Sequence, residues 1–106
     1  MLAAPGVTVF VAEHGGMLAA TCTLVVIPNL TRGGRPYGLV ENVVTDAGHR
    51  KAGLGRAVIA AALEQAWEAG CYKVMLLTGS KNPATLRFYA GIGFIQDKTG
   101  FQIRRG

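Results

Sequence analysis

The segment spanning residues 46–56 combines glycines and cations in a pattern that suits a bound phosphate. Gly53 and Gly55 lack a Cβ, so backbone N–H groups near them can approach a ligand closely. A helix starting here would add unpaired N–H donors and the positive end of its dipole. Three cations surround the glycines: Arg50, Lys51 and Arg56. The segment therefore predicts a pyrophosphate-binding loop.

Two well-known phosphate-binding patterns do not describe this loop. The three-glycine spacing of the Rossmann fingerprint is absent, and no Gly-Lys-Ser/Thr follows as in a P-loop. Two glycines at a helix start also fit an ordinary tight turn between a strand and a helix. The loop alone therefore leaves both interpretations open.

The hydrophobic patterns around the loop predict the elements that position it. Residues 7–27 read as a hairpin turning at 14–16, and residues 37–45 as a third strand. Apolar and small residues from Leu54 onward follow a helical period that ends at Gly70. The apolar run 74–77 is typical of a central strand covered on both faces. Asn82 and Pro83 mark the start of a second helix, and weak final strands follow within 94–105.

This order predicts one mixed-sheet α/β domain over residues 1–106. The strand–helix–strand piece 37–77 predicts a central parallel pair joined by a crossover. The hairpins predict antiparallel edges, so the sheet is mostly antiparallel and flanked by helices. We divide the domain into the hairpin 7–27, a strand–loop–helix unit 37–69, a strand and helix 73–92, and final strands 94–105.

Composition narrows the function classes. The net charge of +5 favours an anionic partner. The basic residues gather at the loop and form no long run, which argues against a nucleic-acid-binding domain. Cys22 and Cys71 form no CxxC pair, so we expect buried free thiols and no metal site. We expect a cytoplasmic protein without membrane association, since neither a signal peptide nor a membrane-spanning run is visible.

The loop and its surroundings resemble the GNAT superfamily of N-acetyltransferases. Residues 50–55 are similar to the family signature Arg/Gln-x-x-Gly-x-Gly/Ala, and the strand that includes 43–46 precedes them. Residues 82–94 resemble the family block Asn…Phe-Tyr-x-x-x-Gly-Phe. The resemblance implies the acyl-CoA N-acyltransferase (GNAT) fold, acetyl-CoA as cofactor, and a chain that begins near the family's second strand, hence an N-terminally truncated form.

The resemblance also implies roles for individual residues in cofactor binding. Backbone groups of the strand would pair with the pantetheine amides, and the loop would hold the pyrophosphate. Asn82 would contact the pantetheine arm, although a plain helix N-cap is an alternative and both roles can coexist. The implied cofactor-binding residues are Val43, Val44, Thr45, Arg50, Lys51, Ala52, Gly53, Leu54, Gly55, Arg56, Asn82 and Phe88.

The implied reaction is attack of a neutral amine on a thioester. It needs a base for the amine, stabilisation of the carbonyl oxygen, and a proton for the leaving thiolate. Tyr89 matches the family tyrosine that protonates the thiolate; core packing beside Phe88 is the alternative. Glu41 matches the family glutamate that acts as base; a solvated or paired carboxylate is the alternative. Glu41 is also expected on the face opposite Val40, and a backbone N–H of the same strand would stabilise the oxygen.

Three segments, 41–44, 70–74 and 101–105, resemble the glucosamine-phosphate N-acetyltransferases within the superfamily. They imply an amino-sugar phosphate acceptor contacted by Arg35, Tyr37 and Glu41. One departure is that the strand after residues 71–73, which carries a carboxylate in that group, reads Leu76-Leu77 here. The alternatives are a peptide or protein amine as acceptor, or a non-catalytic acyl-CoA-binding module. We further expect a homodimer.

Overall fold

A computed structural model describes residues 6–29, 32–45 and 53–106. The chain divides into two compact units, Met1–Leu76 and Leu77–Gly106. The described residues of the first unit form four strands and a helix: β1 (Val7–His14), β2 (Met17–Ile27), β3 (Tyr37–Thr45), α1 (Leu54–Glu68) and β4 (Val74–Leu76). A short 3₁₀ turn, Arg32–Gly34, precedes β3. The second unit carries α2 (Pro83–Ile92).

The strands of the first unit form one sheet in the order β1-β2-β3-β4. The first three strands are antiparallel neighbours, and β3 pairs with β4 in parallel. This confirms the predicted hairpin and the predicted parallel pair. However, β4 is a three-residue, half-buried strand at the end of this order and not the central strand that its apolar run predicted. Val74 and Leu76 lie level with Gly38 and Val40 on the covered face, which accounts for two of its three apolar side chains.

The strand register sorts the side chains onto two faces, because successive residues of a strand point to opposite sides. The pairs Leu24–Val40 and Val26–Gly38 place one set of side chains on the same face. This covered face holds the core with the inner side of α1. Its fully or nearly fully buried members include Cys22, Leu24, Val40, Val58, Ile59, Ala62 and Ala66.

Two close contacts fix the direction of α1 across the covered face. A Cβ built on Gly38 would lie 3.6 Å from the Cβ of Ala66, near the end of the helix. The Cys22 thiol donates to the Val58 carbonyl at 3.5 Å, one turn after the helix begins. Since Cys22 lies beside the far half of β3, α1 runs antiparallel to β3 and starts near that strand's carboxyl end. Burial raises the pKa of the Cys22 thiol to about 11, which confirms a buried free thiol.

Backbone hydrogen bonds end α1 at the predicted glycine. Gly70 has a φ of 86°, which glycine adopts without the strain that a Cβ causes. Its N–H donates to the Trp67 carbonyl and that of Cys71 to the Ala66 carbonyl, both at 3.0 Å. These two bonds form a Schellman motif. Within the described residues, neither helix has the length and apolar character needed to cross a membrane.

The second unit contains α2 with the predicted cap at each end. The Asn82 side chain accepts from the Ala84 N–H at 2.9 Å, and Pro83 occupies the first helical turn. The helix ends at Gly93, with a φ of 123°. The final strands predicted within 94–105 are wrong, since residues 94–106 have no regular secondary structure. Their apolar side chains Phe101 and Ile103 are 96% and 98% exposed, so they bury no surface that would hold a strand in place.

Gly38 is a packing position, and this can be tested. A methyl group added there would lie 3.1 Å from Leu24 Cδ1 and 3.3 Å from Val74 Cγ2. Leu24 is fully buried and has little room to move. We expect Gly38→Ala to lower the free energy of unfolding by roughly 1–3 kcal/mol, measured by urea unfolding. Gly79→Ala is the control, because nothing lies within 4 Å of its added methyl and its φ lies outside the left-handed region. Equal stability of the two variants would contradict the packing role of Gly38.

Candidate active site

The parallel pairing of β3 with β4 stops halfway along β3. The last parallel pair is Val40–Leu76, and β3 continues for five more residues, Glu41–Thr45. On the β2 side these residues stay in the ladder through Glu41, Val44 and Thr45. On the β4 side, no described strand pairs with them. Their N–H and C=O groups on that side can therefore bind an extended ligand as an added strand would.

A β-bulge lies at the start of this open edge. Thr21 pairs with Val44 and Thr23 with Glu41, so Cys22 on β2 opposes both Asn42 and Val43 on β3. Asn42 has a φ of 55°, the only positive φ of a non-glycine among the described residues. A bulge interrupts the ladder and leaves the extra residue unpaired. The bulge thus turns the backbone at Asn42 and Val43 out of the regular sheet hydrogen bonding.

The amino end of α1 lies at the same end of β3. Its N-cap is Gly53, with a φ of 75°, and no side chain caps the helix. No acidic residue stands in its first turn, so no carboxylate offsets the positive end of the dipole there. A Cβ on Gly53 would meet nothing within 4 Å, which leaves the space beside the first N–H groups open. Gly55 is buried and Arg56 exposed. This end of α1 can therefore bind an anion.

The remaining residues of the predicted phosphate loop lie outside the described part of the chain. These are residues 46–52, which include the predicted cofactor-binding residues Arg50, Lys51 and Ala52. Their roles stay predictions.

Glu41 lies on the open face of the sheet, defined here as the face opposite α1. The preceding residue, Val40, is 1% exposed on the covered face, whereas Glu41 is exposed. This agrees with the alternation read from the sequence. Glu41 is also the first residue of β3 beyond the parallel pairing. Its carboxylate therefore belongs to the same end of the sheet as the open edge and the amino end of α1.

A small apolar cavity lies beside this end of the open edge. It has a volume of about 250 Å³ and is lined by Leu18, Ala19, Ala20, Thr21 and Val44. Four of these five side chains are apolar.

The two other predicted acceptor residues, Arg35 and Tyr37, lie at the amino end of β3, away from the open edge. Tyr37 begins β3 and shares the open face with Glu41, since the pairs Ile27–Tyr37, Val25–Leu39 and Thr23–Glu41 advance by two residues. Four residues of strand separate Tyr37 from Glu41 by about 13 Å. Arg35 is exposed just before the strand. A ligand that touches Glu41 and either of these residues must span that distance.

A lysine and two tyrosine rings cluster at the amino end of β3. Lys73 Nζ lies 5.5 Å from the ring centroids of both Tyr37 and Tyr72. Asn29 Nδ2 donates to the Tyr72 hydroxyl at 3.5 Å. Cation–π attraction of this kind holds the ammonium over the rings. The sequence motifs did not indicate this cluster.

The second unit carries the other predicted residues on α2. Asn82 caps the helix through its own side chain, which confirms the structural alternative for this residue. The rings of Phe88 and Tyr89 meet edge to face with centroids 5.2 Å apart, and those of Tyr89 and Phe94 with centroids 6.2 Å apart. Tyr89 is half-buried and Phe88 is 38% exposed. The aromatic contacts hold the Tyr89 ring in a fixed orientation.

The structure thus groups the unit-one residues Glu41, Val43–Thr45 and Gly53–Arg56 at one end of the sheet. Arg35 and Tyr37 are not part of that group. The sequence reading missed Asn42, although one signal was present. Asparagine is depleted in strands but tolerates positive φ, so an asparagine inside a valine-rich strand is typical of a bulge.

Comparison with known proteins connects this arrangement to a family. The model of the Acetyltransferase (GNAT) family matches residues 1–94. The chain belongs to the GNAT family. The match includes the open edge of β3, the loop, α1 and α2, which are the elements expected to contact acetyl-CoA in this family.

Individual relatives agree with this membership. The chain is 41% identical over 86 residues to a glucosamine 6-phosphate N-acetyltransferase of Trypanosoma brucei brucei, covering 81% of this chain and 56% of the relative. It is 43% identical over 85 residues to a probable glucosamine 6-phosphate N-acetyltransferase of Oryza sativa subsp. japonica, covering 80% and 49%. A solved putative acetyltransferase from Agrobacterium tumefaciens is 56% identical with a TM-score of 0.94, covering 99% of this chain and 73% of that one.

The curated relatives extend beyond the region that matches this chain. This GNAT chain spans about half the length of the curated relatives it matches.

The left-handed backbone at Asn42 generates a prediction. Valine at this position would carry a β-branched side chain at a φ of 55°. We expect Asn42→Val to lower the free energy of unfolding by at least ~1–2 kcal/mol, because the left-handed region is strained for such residues. Asn42→Gly is the matched control and should stay within roughly 0.5 kcal/mol of the parent. Urea unfolding of both variants measures the difference in stability. Equal stability of the valine and glycine variants would contradict the dependence of the bulge on this backbone conformation.

Proposed function

We propose that this chain is an acetyl-CoA-dependent N-acetyltransferase that transfers an acetyl group to the primary amine of a small molecule. One observation carries the proposal. β3 extends five residues beyond its parallel partner, and the amino end of α1, which no side chain caps, lies near the end of that strand. An edge of free backbone groups followed by a site for anions matches a ligand with an amide-rich arm and a pyrophosphate.

The residues present fit coenzyme A in chemical terms. The pantetheine arm has amides that can pair with the backbone of Val43–Thr45. The pyrophosphate is an anion that helix N-terminal N–H groups bind, and the space beside Gly53 is open for it. Arg56 adds a positive charge in the first turn. Bound acetyl-CoA supplies the reactive thioester.

The residues of this chain supply three functions around that thioester. Glu41, exposed on the open face, removes a proton from the acceptor amine directly or through water. A backbone N–H at the bulge, on Val43 or Val44, donates to the carbonyl oxygen as negative charge develops. Tyr89, in the second unit, carries a phenol that ordinarily holds its proton at neutral pH, so its hydroxyl is our candidate proton donor for the leaving sulfur.

The acceptor we propose first is an amino-sugar phosphate. The relatives with 41% and 43% identity bear the name glucosamine 6-phosphate N-acetyltransferase. Arg35, with Tyr37 beside Lys73, places positive charge on the side of Glu41 away from the cofactor edge, where an acceptor's phosphate could bind. The strand that carries a carboxylate in that group reads Leu76-Leu77 here, so we propose that Glu41 is the carboxylate that recognises the amine.

A direct assay separates the acceptor classes. Release of free thiol from acetyl-CoA is followed with glucosamine 6-phosphate, with glucosamine, and with a lysine-containing peptide. Turnover only with the phosphorylated sugar supports the acceptor proposal, and turnover with the peptide favours a protein or peptide amine. Binding of acetyl-CoA without turnover of any amine would identify a non-catalytic acyl-CoA-binding module. We also propose a homodimer, which sedimentation measures.

The role of Gly53 in cofactor binding can be tested against a matched glycine. Gly53 and Gly70 flank α1, both have positive φ, and both have open space where a Cβ would lie. Asparagine tolerates this backbone region. We expect Gly53→Asn to weaken acetyl-CoA binding by at least ~10-fold, because its side chain occupies the space proposed for the pyrophosphate. Gly70→Asn should leave binding within about 2-fold. Calorimetric titration measures both, and equal affinities would contradict the proposed phosphate site.

The role of Tyr89 can be tested with a second tyrosine as control. We expect Tyr89→Phe to lower kcat by about 10²-fold or more, because the proton donor is lost while the ring packing is kept. KM for acetyl-CoA should change little. Tyr72→Phe removes only the hydroxyl that accepts from Asn29 in the first unit, and kcat should stay the same. Parent-like kcat in Tyr89→Phe would assign this tyrosine to packing.

A further inference from the structure

The ammonium group of Lys73 lies among aromatic rings and has no acidic partner. Its Nζ is 5.5 Å from the ring centroids of both Tyr37 and Tyr72, within the ~6 Å over which a ring attracts a cation. No carboxylate of the described residues forms an ion pair with Lys73, and the attraction to the two rings is the interaction that its side chain makes. The ammonium is therefore held in place while no described anion neutralises its charge.

The backbone fixes the face on which this ammonium stands. The Gly38 N–H donates to the Lys73 carbonyl at 2.9 Å, directly before the parallel pair Gly38–Val74. The Val74 side chain approaches the Cα of Gly38 from the covered face, where Leu24 also lies. Successive residues of an extended segment point to opposite sides, so Lys73 points to the open face. Its contact with the Tyr37 ring agrees with this direction.

The open face thus carries charges of opposite sign at two places along β3. Glu41 is exposed on this face, about 13 Å along the strand from the end at which Lys73 stands. Between them lies the directly opposed pair Leu39–Met75, whose side chains are apolar and half-buried. Arg35, exposed just before β3, adds a second positive charge at the Lys73 end. A ligand lying along β3 meets a carboxylate at one end, apolar surface in the middle and cations at the other end.

Phosphate is the anion that suits this arrangement of cations. A lysine ammonium has three N–H donors and is a frequent binder of phosphate groups in proteins. Because the two rings already restrict the Lys73 side chain, it loses less rotamer entropy on binding than a free lysine would. We propose that Lys73, held by Tyr37 and Tyr72, binds the phosphate group of a small ligand.

Two sources of that phosphate group share the same chemistry. One is the acceptor itself, in which case Lys73 selects the phosphorylated sugar over the sugar, and the inference rests on the proposed function. The other is a separate phosphate-bearing compound that binds beside the acceptor. The experiments below distinguish the two sources.

Calorimetric titration with glucosamine 6-phosphate and with inorganic phosphate tests the site without any need for turnover. We expect Lys73→Met to weaken binding of at least one of the two by about 10-fold or more, because the length of the side chain is kept while its charge is lost. Lys73→Arg keeps the charge and the attraction to the rings, and its affinity should stay within about 3-fold of the parent.

Lys98→Met is the matched control for the loss of one positive charge. Lys98 is an exposed lysine of the second unit, outside the proposed site, so its replacement should leave both affinities within about 2-fold of the parent. Equal affinities of Lys73→Met and Lys98→Met for both compounds overturn the proposal. A parent chain that binds neither compound overturns it as well.

Kinetics identify the source of the phosphate group. If it belongs to the acceptor, Lys73→Met raises KM for glucosamine 6-phosphate by about 10-fold and leaves the binding of glucosamine unchanged, because only the phosphate contact is lost. If it belongs to a separate compound, Lys73→Met weakens binding of inorganic phosphate and leaves KM for the acceptor unchanged.

Thiol release from acetyl-CoA tests the proposed function separately from the Lys73 site. A chain that acetylates no amine, but binds phosphate in a manner that depends on Lys73, overturns the proposed function and supports the site. A chain that acetylates glucosamine 6-phosphate with the same KM in the parent and in Lys73→Met, and binds inorganic phosphate equally in both, overturns the role of Lys73. The proposed function then stands.

Discussion

The packing of α1 on the covered face of the sheet is the constraint on which the candidate site depends. Its contacts with β3 at Gly38 and with β2 at Cys22 fix both the position and the direction of the helix. Because the helix runs antiparallel to β3, its uncapped amino end must lie near the end of that strand. The absent Cβ at Gly38 lets the helix approach closely, so a packing residue about 20 Å away along the sheet helps to set the place of the anion site.

The bulge at Asn42 changes how β3 serves the site. Before the bulge, β3 is an ordinary strand whose side chains alternate between core and open face. After it, the strand keeps its ladder with β2 while its other edge is free. Asn42, in the left-handed conformation, thus divides β3 into a half that pairs on both edges and a half that pairs with β2 alone among the described strands. The cost of that conformation is small for asparagine, which explains why the strand can contain it.

Most of the first unit followed from the sequence, because hydrophobic periods and glycine positions are local signals. The hairpin, the third strand, α1 and its stop at Gly70 all agree with the structure. The final strands did not, since Phe101 and Ile103 show strand-like alternation but bury nothing. Alternation predicts which residues could share a face and not whether a partner strand is available. The edge position of β4 was missed for the same reason.

The candidate site divides in the same way between what sequence shows and what only structure shows. The phosphate loop and Tyr89 lie in segments that resemble family motifs, so the resemblance indicated them. The bulge depends on the register between β2 and β3, which the sequence does not show. No motif records such a register.

The two kinds of recognition in this fold rely on different parts of the chain. In the proposed function, cofactor binding falls to backbone groups of β3 and α1, which many side chains can accompany without changing the geometry. Acceptor recognition falls to side chains on the open face, such as Glu41, which contribute little to the core under α1. Substitutions on the open face therefore cost little stability, whereas the covered face tolerates few changes. On this proposal, the acceptor side of the site can change while the packing that holds the cofactor side stays the same.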